Sequence, residues 1–304
     1  MKPNPVMKSL GFADDDRAVV IHVDDLGMCQ AGVAAFRDLV ELGTVSSGSV
    51  MVPCPWFPRL AEYCRTTPEV DVGIHLTLTS EWTGYRWRPV STRDPTSGLI
   101  DEEGYLPRKA RSAADRADPE AIRRELEAQI ERALETGIDA THLDAHMFTA
   151  LYPSVASLYF ELAEVYQLPP FALRLDEAGW RELGRMHMGF TDEEAAEMAQ
   201  LTAQAERRGV PFFDHAHMMA LDEWERRVEQ VQEILETLPP GLTYFIIHAA
   251  KDTPELRAIA PDWRSRVADY RAFASKKMQR YLRQTDVHVI GYRKLRDVIR
   301  QANG

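Results

Sequence analysis

Cysteine is scarce: only Cys29, Cys54 and Cys64 occur in 304 residues. An odd number with no CxxC spacing supplies neither a disulfide framework nor a thiolate zinc site, and it fits a reducing compartment. Long apolar runs are also missing. No segment reaches the length needed to span a bilayer, and the opening stretch MKPNPVMKSLGFADDD has no apolar block of signal-peptide length. A cytoplasmic address is expected. Positive charge is in deficit, with 36 Lys and Arg against 47 Asp and Glu and a net charge of −11. That balance argues against a nucleic acid or an anionic membrane as partner, because both need a basic surface. A neutral small substrate such as a sugar remains compatible, and so does a homo-oligomer.

What is present reads as an ordinary globular composition, 45% hydrophobic and 27% charged. Short β-branched runs alternate with helical patterns. Strands are expected over 19–24, 45–51, 70–76, 139–146, 171–175, 210–214, 242–248 and 286–290. The clearest helix is 118–137, with Asp118 as N-cap, Pro119 in the first turn, Gly137 at the end, and Ile122, Leu126, Ile130 and Leu134 four apart. Strand–helix alternation with near-continuous apolar strands implies a mainly parallel sheet covered by helices. About eight such units imply an α/β fold of the irregular (β/α) TIM-like barrel type, one catalytic domain over 1–304. The segment 79–117, after the third strand, is too long for an ordinary connection and reads as an insertion at one mouth of the barrel.

The carboxyl ends of the strands are where parallel α/β folds place their chemistry. The first run, VVIHVDDLGM, finishes on adjacent carboxylates, Asp24 and Asp25. Like charges at the end of a buried strand call for a cation. Successive strand residues face opposite ways, so the two can share a site only if the chain bends, and Gly27 makes that turn feasible. Other strand ends hold His75, the set His142, Asp144 and His146 in THLDAH, Arg174, and His248. Two imidazoles and a carboxylate make a three-ligand metal site with open positions. Period two puts His142, Asp144 and His146 on one face without ranking them. A carboxylate beside a ligating histidine often orients its ring, and Arg174 is suited to holding Asp24 ionised.

The ordered set DDLG, VGIHLTLT, THLDAHM and a late strand-end histidine resembles the YdjC-like carbohydrate deacetylase family, which includes chitooligosaccharide deacetylases. The resemblance spans most of the chain. It implies an irregular (β/α) barrel that removes acetyl groups from N-acetylated sugars with one divalent metal ion; the donor set suits zinc, and magnesium, manganese or cobalt also fit. It assigns Asp25, His75 and His146 as ligands, Asp24 as the general base and His248 as the acid for the leaving amine. Departures are Leu26 for a family phenylalanine and HAAKD after the late histidine in place of HPG. Arg266 matches an arginine of the family's C-terminal segment. Asp214 lies where the family has an aspartate, and it is expected, with Asp144, to face substrate.

Each residue also has a plainer reading. Asp24 or Asp25 could cap a helix, His75 could be a satisfied core histidine, His248 could cap the sheet, and Arg174 could form a structural ion pair. Trp82, Tyr85 and Trp87 offer faces for sugar rings or anchors for the long insertion. His215 and His217 form an HxH pair on an expected loop, substrate-side or structural. Two other functions are weighed: an amidohydrolase-type enzyme for another amide or ester, with His215 and His217 on the metal, and a sugar-binding relative without turnover.

Overall fold

The run that raised the question of the paired carboxylates is the central strand of the protein. The computed structural model describes residues 4–303. In it, β1 (Arg17–Leu26) is followed by β2 (Ser47–Val50), β3 (Val72–Leu76), β4 (Leu143–Ala145), β5 (His215–Met218), β6 (Gly241–Ile247) and β7 (His288–Val289). The strands pair in the order β4-β3-β2-β1-β6-β5, all parallel, with β7 added beside Ala18 and Val19 of β1. The sheet forms a half-barrel rather than the full eight-stranded barrel expected. β1 and β6 are buried along nearly all of their length, as parallel strands covered on both faces must be.

The expected strands at 171–175 and 210–214 are reduced to isolated bridges, Leu143 with Pro170 and Leu173 with Phe213. Pro169, Pro170 and Pro211 lack the N–H that a regular ladder needs. The segment still donates from Phe171 N to Leu143 O (2.8 Å) and accepts at Ala172 O from Phe213 N (3.0 Å). It thereby links the β4 side of the sheet to the chain entering β5. His215 and His217 lie on β5, not on a loop.

The helix Pro119–Glu135 keeps its expected cap, with the Asp118 side chain accepting from Glu120 N. Its buried stripe is Ile122, Leu126, Ile130 and Ala133, while Leu134 is exposed, because a 3.6-residue turn drifts off a strict spacing of four. Glu125 and Gln129 share this inward face. Glu125 accepts from Val90 N (2.9 Å) and Ser91 N (2.7 Å), and Gln129 accepts from Thr77 N (2.9 Å) and donates to Thr77 O (2.8 Å). Residues 79–117 are thereby tied to the helix that follows them. Among the described residues no helix is long and apolar enough to cross a membrane.

Candidate metal centre

The bend required at the end of β1 is present. Pairing with β2 shifts register between Val23 and Leu26. Asp25 has φ +61° and Gly27 φ +87°. The left-handed conformation is unfavourable for a side chain other than glycine, and at Asp25 it turns a second carboxylate toward the open end beside Asp24. A Cβ at Gly27 would stand 3.3 Å from the backbone of Phe57, so the turn is also tightly enclosed.

Asp25, His75 and His146 converge, with one ligand atom from each lying within 4.8 Å of the others, and all three are buried. His75 Nε2 is 3.5 Å and His146 Nδ1 3.1 Å from Asp25 Oδ1. That oxygen is buried with no aligned hydrogen-bond donor. An acceptor facing two imidazole nitrogens is a donor set that fits a divalent cation. The other oxygen, Oδ2, pairs with Arg266 at 2.8 Å. Burial pushes the Asp25 carboxyl up, but Arg266 and the nearby His146 and His75 rings prevail and hold it well below the usual carboxylate range.

A second carboxylate holds each imidazole from behind. His75 Nδ1 lies 3.2 Å from Asp144 Oδ2. That same oxygen accepts from Ser49 Oγ (3.2 Å) and Tyr244 Oη (2.9 Å), and Asp144 Oδ1 accepts from Ala145 N (2.7 Å). His146 Nε2 faces Glu81 Oε2 at 3.1 Å. Burial disfavours charge on both rings. The carboxylates still win, raising His75 well above its usual value (Asp144, then Asp24) and His146 to about 9 (Glu81 and Asp25).

Asp24 sits beside this set, with Oδ1 3.2 Å from His22 Nε2 and Oδ2 3.8 Å from His248 Nε2. Burial and then the negative charge of Asp144 raise its proton affinity well above that of a free aspartate. Burial lowers His248 to about 4. Despite its altered sequence, the loop after His248 is pinned: Ala250 N donates to Arg266 O (3.0 Å), Lys251 N to Ala31 O (3.1 Å), and Asp269 accepts from His248 N (3.0 Å).

Several expected roles need correcting. Asp144 is 2% exposed and spends its oxygens on protein donors, so it orients His75 instead of facing substrate. Among the described residues Arg174 pairs with Glu206 (2.6 Å) and Asp214 (2.9 Å), while Asp24 is engaged by histidines. Asp214 also accepts from Asn4 Nδ2 and Leu242 N, both at 2.9 Å, which places it at the amino end of β6, away from the strand end that bears His248. Trp82 and Trp87 are 9% and 3% exposed and present no open face to a sugar. Trp87 donates to Thr79 O at 2.7 Å and packs 6.0 Å from the His146 ring. Trp82 lies 5.5 Å from the Arg266 guanidinium, and the Tyr85 hydroxyl donates to Met28 O at 2.5 Å. His142 lies away from Asp25, stacked on Tyr292 at 3.8 Å, where Gly73 leaves the space its ring fills. Among the described residues two groups could hold a metal, Asp25 with His75 and His146, and His22 with Asp24 and Asp144; His215 and His217 are in neither, which removes the ligand set of the amidohydrolase alternative.

His22, Ser49, Glu81 and Tyr244 escaped the sequence reading. For His22 a signal existed, since it stands two residues before Asp24 on the same strand face. Nothing local marks Ser49, Tyr244 or Glu81, which reach the site through pairing and through a loop.

A parallel α/β sheet with buried carboxylates and imidazoles gathered at its carboxyl edge is the architecture of an enzyme that works at strand ends. The YdjC-like protein family model matches residues 18–284, and the chain belongs to that family. A carbohydrate deacetylase of Thermus thermophilus is 33% identical over 283 residues, covering 93% of this chain and 95% of that protein. A carbohydrate deacetylase of Thermoanaerobacter pseudethanolicus is 24% identical, covering 90% and 97%. A solved Enterococcus faecalis structure, described as a candidate cellobiose-phosphate cleavage protein, superposes with a TM-score of 0.71 at 18% identity, over 92% of this chain and 99% of that one, and shares the fold.

Proposed function

We propose that this protein hydrolyses the N-acetyl group of an N-acetylated sugar or chitooligosaccharide-like substrate, releasing acetate, with one divalent metal ion held by Asp25, His75 and His146. The observation that carries this reading is the meeting of those three side chains beside Asp24 and His248, in a family whose relatives bear the name carbohydrate deacetylase. A bound divalent ion lowers the pKa of water and polarises a carbonyl. The chain supplies the rest. Asp24, with raised proton affinity, accepts the proton lost by water as it adds to the acyl carbon. His248, 3.8 Å from Asp24 Oδ2, gives a proton to nitrogen as the C–N bond breaks, and the proton that Asp24 took from water makes good the loss. Each such transfer is worth about 10²–10⁴ in rate. Arg266 keeps Asp25 ionised, and Asp144 and Glu81 fix the two rings.

The test is acetate release from N-acetylglucosamine and its short β-1,4 oligomers by protein loaded in turn with zinc, magnesium, manganese and cobalt. Release that falls at least 100-fold in Asp24→Asn supports the reading. Metal uptake and sugar binding without acetate would favour the non-catalytic relative.

A further inference from the structure

Next to the metal centre lies a cavity of about 240 Å³ whose chemistry differs sharply from it. Its walls include Phe148, Phe171, Leu183, Ala216, Met218 and Ile246, and its polar side chains are two histidines, His187 and His217. It shares structure with the centre at three points. Phe148 follows His146 by two residues, and Ile246 precedes His248 by two. Phe171 stacks at 4.5 Å on Tyr244, whose hydroxyl bonds Asp144.

One wall residue, Met218, is an exposed methionine, and two more exposed methionines adjoin the wall in sequence. Met218 in its wall is 45% exposed, and Met147 and Met186, each adjoining a wall residue, are 51% and 63% exposed. Such unbranched, polarizable side chains adapt to varied apolar ligands. Met147 and Phe148 are consecutive non-glycine residues at φ +52° and +53°, a strained conformation of the kind kept at ligand sites. A bare sugar ring would leave most of its hydroxyls unpaired against these walls. An apolar group would not, and the volume exceeds the roughly 150 Å³ that suffices for benzene.

We propose that this cavity receives an alkyl or aryl substituent of the substrate, carried on the sugar either through its acyl carbonyl or at its anomeric oxygen. The identity of the sugar rests on the deacetylase reading; the apolar site does not. The test is calorimetric titration of the protein, held in chelator so that no turnover intervenes, with N-acetylglucosamine, its hexyl β-glycoside and N-hexanoylglucosamine. At least one of the two chain-bearing ligands is expected to bind tenfold or more tightly than the parent, and which one does so identifies the point of attachment. Ala216→Phe, which fills the cavity, and Met218→Glu, at its exposed rim, are expected to remove that advantage. Equal binding of all three ligands, or an advantage that survives both variants, overturns the proposal. Acetate release from the metal-loaded protein is read separately: its absence would remove the deacetylase reading and leave the titration result standing.

Discussion

His75 gives its Nδ1 to Asp144, 3.2 Å away, and thereby turns Nε2 toward Asp25 at 3.5 Å. The pairing fixes both the orientation and the tautomer of the ring that the proposed function places on the metal. Asp144→Asn keeps the shape but loses the acceptor shared by His75, Ser49 and Tyr244. Metal affinity, read by calorimetry, is expected to fall about 10–100-fold, with a smaller loss in Tyr244→Phe. Unchanged affinity in Asp144→Asn would show that the ring needs no such support.

Without metal the centre is held together by protons. Folding raises His146 from 6.5 to about 9 and lifts His75 well above 6.5. Stability from a raised imidazole is fully present below its unfolded value and is lost as pH climbs through the folded one. The metal-free protein is therefore expected to lose on the order of 3 kcal/mol between pH 6.5 and 9 from His146 alone. Metal binding must displace these protons, so apparent affinity rises over the same range. Thermal unfolding in chelator across that window, repeated with saturating divalent ion, checks both. A flat profile in chelator would contradict the protonated-imidazole description.

Arg266 supplies the standing positive charge. Removing it as Arg266→Met leaves Asp25 buried opposite a neutral chain, and breaking such a pair costs about 3–5 kcal/mol. The metal-free variant is expected to melt well below the parent, and added divalent ion should recover more of the loss than it adds to the parent protein, since it binds only the folded state. Equal stabilisation of the two proteins would separate Arg266 from the centre.

Cys29, Cys54 and Cys64 are buried and free, and burial raises all three thiols, Cys64 to about 12. Since the thiolate is the reactive form, a thiol reagent at neutral pH is expected to label none of them in the folded protein and all three in denaturant. Fast labelling of the native protein would show that the surrounding helices open.

Much of this arrangement was legible because period-two patterning and strand-end placement are local signals. They marked Asp24, Asp25, His75, His142, Asp144, His146, Arg174 and His248 without ranking them, and the family resemblance picked out the proposed ligands from that set. The strands at 171–175 and 210–214 were overread because the apolar pattern outweighed Pro169, Pro170 and Pro211, which deny the ladder its donors. Arg174 and Asp214 have the residue types of a site, but register sets them beside Asn4 and Leu242 at the far end of the strands. Burial of Trp82 and Trp87 depends on how residues 79–117 fold back, which no spacing reveals. The supporting carboxylate of Glu81 comes from that same segment.

The most direct measurement is anomalous diffraction from crystals grown with manganese or zinc. The expected result is a single peak within about 2.0–2.3 Å of one atom each from Asp25, His75 and His146. A peak among His22, Asp24 and Asp144 instead, or none near either group at saturating metal, would contradict it.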